Sequence, residues 1–75
     1  MVIGKIVNKQ TNQDVCQNYL NKELRDFEAN IGEDLKIIYT NGSFFTHEKV
    51  LECDQDDYGF WIETTNKLWR IDNHT

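Results

Sequence analysis

Seventy-five residues hold one domain at most, 1–75, and a chain of this length buries only about 60% of the surface it exposes when unfolded. A hydrophobic fraction of 39% can build a core and excludes the disordered class; a net charge of −5 disfavours nucleic acid as a ligand, since its binders need Lys and Arg to displace phosphate counterions. No apolar run approaches the ~20 residues of a membrane span, and Gly4 and Lys5 interrupt Met1–Val7 too early for a signal peptide, so the expectation is a cytoplasmic protein with Cys16 and Cys53 reduced.

In chain order, Val2, Ile3, Ile6 and Val7 form a short apolar opening suited to an edge strand, which polar Asn8–Asn12 ends. Thr11 followed by Asp14 suits the start of a helix. From there Cys16, Leu20, Leu24, Phe27 and Ile31 recur at steps of four, four, three and four, widened by Val15 and Tyr19, while Lys22, Arg25, Asp26 and Glu28 lie off the stripe. With Gly32 as a C-cap, this spacing predicts a helix over 12–31.

The period then changes to two. Leu35, Ile37 and Tyr39 alternate as in a strand, and Asn41-Gly42 predicts a two-residue hairpin turn with positive φ at both positions. That turn sets Tyr39 opposite Phe44 and Ile38 opposite Phe45. Val50 keeps the parity of Phe44, whereas Leu51 and Cys53 keep that of Phe45, so the long following strand must bend or bulge. An acidic connection, Glu52, Asp54, Asp56 and Asp57, leads to Tyr58-Gly59. A last hairpin turns at Thr65-Asn66, with Ile62 facing Trp69 and Phe60 facing Ile71 on the core side, and Trp61 facing Arg70 on the other. The predicted fold is α+β: one N-terminal helix packed on a four- to five-stranded antiparallel sheet that can curl into a small SH3-like barrel.

The run Ile37-Ile38-Tyr39-Thr40-Asn41-Gly42, then Val50 and Asp54, then Phe60-Trp61-Ile62, resembles the Sm-like family of small SH3-like barrels over residues ~12–72. The resemblance implies a ring-forming RNA binder. It would also place Asp56 and Asp57 beside the RNA-contacting loop, where they would repel phosphate.

Catalytic and metal chemistry find little support. Asp54-Gln-Asp56-Asp-Tyr58-Gly59 has a calcium-loop flavour, but Tyr58 and Thr65 fall where oxygen ligands are needed. Cys16, His47, Cys53 and His74 lack the close pairing of zinc ligands. No phosphate loop, Ser elbow or thiol–base pair is present, so no cofactor, metal or catalytic residue is expected. What remains is a binding surface. Glu52, Asp54, Asp56, Asp57, Tyr58, Trp61 and Arg70 gather carboxylates beside an outward-facing Trp–Arg pair, the residue types that dominate binding hot spots. The expected function is a small acidic, non-enzymatic protein-binding module that engages a protein with a basic surface. In size and in its Pro-free, Asn/Asp/Lys/Ile-rich composition it is similar to the small acidic inhibitors that phages and mobile elements direct at host nucleic-acid-handling proteins. The alternatives are the Sm-like ring and a small structural homodimer.

Overall fold

Two-residue periodicity governs far more of the chain than its sequence suggests. The computed structural model describes residues 1–15, 20 and 22–73, and within them lie six strands: β1 (Val2–Asn8), β2 (Leu24–Glu28), β3 (Asp34–Tyr39), β4 (Phe44–Asp56), β5 (Gly59–Thr64) and β6 (Lys67–Asp72). All neighbours are antiparallel, in the order β1-β6-β5-β4-β3-β2. The sheet curls into a half-barrel whose two edges touch: Val2 bridges Glu23, and the Leu24 amide donates to the Met1 carbonyl at 2.7 Å. The opening strand lies at the edge position expected of it, and the curled sheet is compatible with a small β-barrel.

The α+β class and the helix over 12–31 are corrected: the described residues contain no helix. Two members of the supposed stripe, Cys16 and Tyr19, lie outside the described residues. Around Thr11 the chain forms a turn, because the Asn8 side-chain oxygen accepts the amides of Gln10 (2.9 Å) and Thr11 (3.2 Å). Asn12 takes a left-handed φ of 58°, which a helix cannot contain. The turn sends Asp14 and Val15 back along β1, where Val15 donates to the Ile6 carbonyl at 2.7 Å. Gly32, with φ 91°, serves the β2–β3 connection and caps no helix.

Leu24 and Phe27 explain the false helical signal. A bulge at Arg25 sets Leu24 opposite Tyr39 but Asp26 opposite Ile38, adding one residue to β2. Two inward positions normally lie two apart in a strand; across a bulge they lie three apart, which is also a helical step. The device recurs. A bulge at Gly4 lets Ile3 and Ile6 both point inward, and one at Leu51 does the same for Val50 and Cys53. A further irregularity at His47–Glu48 completes the bending predicted for β4.

The Asn41-Gly42 turn is one residue longer than predicted. Tyr39 donates to the Ser43 carbonyl (2.9 Å) and Gly42 to the Tyr39 carbonyl (3.0 Å), leaving Thr40–Gly42 as a three-residue loop. Only Gly42 has positive φ, 90°. Asn41 contributes through its side-chain oxygen, which accepts the Ser43 amide (2.9 Å) and hydroxyl (2.6 Å). Register shifts accordingly: Ile38 faces Phe44 and Ile37 faces Phe45. The last hairpin is as predicted, with Phe60–Ile71, Trp61–Arg70 and Ile62–Trp69 paired.

The core is Ile3, Ile6, Leu24, Leu35, Ile37, Tyr39, Val50, Ile62, Trp69 and Ile71, with Phe27 and Phe60 stacked edge-on at 4.9 Å against it. Each fully buried aliphatic side chain contributes about 1.5–3 kcal/mol, so these few residues supply most of the apolar stabilisation. No helix among the described residues is long and apolar enough to cross a membrane.

Candidate functional site

Strand β4 carries the acidic residues, and its pleat sorts them. Glu52 pairs with Glu63, Asp54 with Trp61 and Asp56 with Gly59, while Cys53, one position off, pairs with buried Ile62. Residues 52, 54 and 56 therefore share the face of the sheet turned away from the core. Across it runs a cross-strand row, Lys5–Arg70–Trp61–Asp54. The structure thus brings five predicted site residues onto one face, Glu52, Asp54, Asp56, Trp61 and Arg70. Asp57 and Tyr58 occupy the adjoining β4–β5 turn, Tyr58 being 70% exposed.

Within this group Asp56 and Arg70 are tied to one another. The Arg70 guanidinium donates to both Asp56 oxygens, at 2.8 and 3.0 Å, and through Nε to Asp72 at 3.1 Å. The opposite Asp56 duty is the turn, where its Oδ1 accepts the amides of Tyr58 (2.8 Å) and Gly59 (2.9 Å). Gly59 is required at that point, because a Cβ there would strike the Ile71 carbonyl oxygen. The Arg70 hydrogen bonds, followed by the Tyr58 amide, hold the Asp56 carboxyl down at about 2. Arg70 also lies 5.2 Å from the Trp61 ring, which stays 38% exposed. The side chains of Glu52, Asp54 and Asp57 make no hydrogen bond or ion pair among the described residues. Opposite Glu52, Glu63 is held by Lys9, which also donates to the Thr64 carbonyl at 3.0 Å. That ion pair relieves the repulsion of two facing acids.

A second polar cluster escaped the sequence reading. Glu48, in the irregular stretch of β4, accepts the Thr64 hydroxyl (2.8 Å), the Asn66 amide (2.8 Å), the Asn66 side chain (3.1 Å) and Lys67 Nζ (3.1 Å). Thr64 in turn accepts the Trp69 indole N–H at 3.1 Å. Burial opposes the charge on Glu48, but the Asn66 and Thr64 hydrogen bonds overcome it and hold the carboxyl at about 2. Nothing near Glu48 in sequence signals this role, since its partners lie 16–19 residues away. The one available hint was that Thr64-Thr65-Asn66-Lys67 is rich in donors and holds no acid.

His47 packs at a tilt against Trp69, ring centres 4.8 Å apart; burial, then the Lys67 charge, lowers its pKa and favours the neutral ring. Burial, then Asp54, pushes the Cys53 thiol up, away from the reactive thiolate. Among the described residues no three His, Cys, Asp or Glu groups are placed to hold a metal ion. Of the segment Asp54–Gly59, whose calcium-loop pattern the sequence disfavours, residues 54–56 are extended strand. Cys16 and His74 lie outside the described residues.

No protein-family model matches the chain, and no curated protein or solved structure matches it. The Sm-like resemblance therefore reduces to compatibility with a small β-barrel.

Proposed function

We propose that this protein is a small, acidic, non-enzymatic binding module that docks the outer face of β4–β5–β6 on a protein with a basic surface. The observation that carries the reading is the position of Trp61. Its ring is open to solvent, braced on one side by an Arg70 that Asp56 and Asp72 immobilise, and neighboured across the strand by Asp54, whose side chain has no partner among the described residues. A rigid aromatic anchor loses little conformational entropy on binding, and carboxylates beside it steer a cationic partner. Glu52 and Asp57 extend the negative field, Tyr58 extends the apolar contact, and Asp56 and Arg70 act as the frame. A partner whose basic surface otherwise holds nucleic acid fits this charge pattern, and occupying it would inhibit that partner.

The test is capture from a lysate, with the retained protein identified and then purified for kinetics. Trp61→Ala should raise its dissociation rate about tenfold or more through loss of the anchor. Glu52→Gln/Asp54→Asn should slow association and flatten its salt dependence. Unchanged kinetics in both folded variants would place binding elsewhere, and retention of RNA in place of a basic protein would favour the ring-forming alternative.

A further inference from the structure

At the opposite end of β4 the outer face has another character. Asp26, Ile38 and Phe44 form one cross-strand row over β2, β3 and β4, and Glu28, Lys36 and Thr46 form the next. All six share a face, opposite the one that buries Leu35 and Ile37. Phe44 is 56% exposed there, beside half-buried Ile38. Lys36 places Nζ 4.4 Å from the centre of the Phe44 ring and makes no ion pair with Glu28 across the strand.

We infer that this face is a self-association surface whose occupant is a second copy of the chain, in a two-fold arrangement with Phe44 and Ile38 at its centre. The argument is charge complementarity. A two-fold interface sets the same patch against itself, so the patch must carry both signs around an apolar centre. The Phe44 patch does so, with Lys36 on one strand and Asp26 and Glu28 on the next. The Trp61 face is unbalanced, because its cations are already engaged, Lys5 by Asp14 and Arg70 by Asp56 and Asp72, which leaves Glu52 and Asp54 uncompensated. Net charge of −5 opposes self-association, and a face where charges of both signs interleave opposes it least. The β2 edge offers no competing route. It is five residues long, bulged at Arg25, and the Phe27 amide is already taken by the Asp26 carboxylate at 2.8 Å. A standard interface covers about 800 Å² per partner. That is a large share of a total surface of 4863 Å², so a patch centred on two apolar residues makes a weak, concentration-dependent dimer.

Sedimentation equilibrium of the whole chain tests this. The average mass should climb from monomer toward dimer between about 10 µM and 1 mM, the range of a weak interface. Phe44→Ser should weaken association about tenfold, and Trp61→Ala should leave it unchanged, which separates this surface from the proposed partner-binding face. Lys36→Glu and Glu28→Lys should each fail to self-associate yet form a dimer when mixed. Far-ultraviolet circular dichroism confirms that each variant is folded. A monomer at 1 mM, a dimer indifferent to Phe44→Ser in the folded variant, or a charge-swapped mixture that stays monomeric would overturn the inference.

Discussion

Four acids on β4, Glu48, Glu52, Asp54 and Asp56, divide into two kinds. The outer two are spent inside the molecule: Glu48 clasps the β5–β6 turn and Asp56 fixes both the β4–β5 turn and Arg70. The inner two face solvent, their side chains without a partner among the described residues. Acidity along one strand is therefore not one property. Carboxylates that gather several donors hold the fold, and carboxylates left without them are the ones available to a partner. The fold also explains why the engaged pair flanks the other. The irregularity at His47–Glu48 and the turn at Asp57-Tyr58 expose backbone and side-chain donors that need an acceptor, whereas from Glu52 to Asp56 the strand pairs with β5 residue by residue.

The largest loss should follow Glu48→Ala, which strips the acceptor from four donors and should cost about 2–3 kcal/mol by urea denaturation. A loss within the scatter of surface substitutions would mean the clasp is incidental. Asp56→Asn should lower the denaturation midpoint by less, since that carboxylate is solvent-exposed, and should blunt the Trp61 site by freeing Arg70. Gly42→Val should cost about 1 kcal/mol, because a β-branched residue is strained at φ 90°. An unchanged midpoint there would contradict the three-residue loop.

Acid sharpens the same contrast. Glu48 and Asp56 sit at about 2 in the folded chain, below their ordinary values of 4.5 and 3.8. A depressed folded-state value stabilises the protein above the unfolded value, and that stabilisation disappears as pH falls toward 2. Stability should accordingly decline between about pH 4.5 and 2, and Glu48→Gln should flatten that decline. An equally steep acid limb in the variant would assign it to other groups.

Legibility in the sequence followed the range of the interactions. The β5–β6 hairpin, its register and the Trp61–Arg70 pairing were readable because a two-residue loop and strict alternation settle them locally. Leu24 and Phe27 misled because a bulge imitates a helical step, and β2 forms by pairing with β3, eight to fifteen residues on. The register around Asn41-Gly42 slipped by one because the Asn41 side chain, by capping Ser43, supports a loop with a single left-handed residue. Of the site, the outward face was readable and the commitment of Asp56 was not, since it depends on Arg70 fourteen residues away. Glu48 went unnoticed for the same reason.

The smallest expected effect is also the most telling. Urea denaturation of Glu52→Gln/Asp54→Asn should give a midpoint equal to or slightly above that of the parent chain, the shift staying within about 0.5 kcal/mol. Glu48→Gln/Asp56→Asn, measured beside it, should fall well below. Equal losses in the two double variants, or a larger loss in the first, would contradict the division of β4 into structural and available acids.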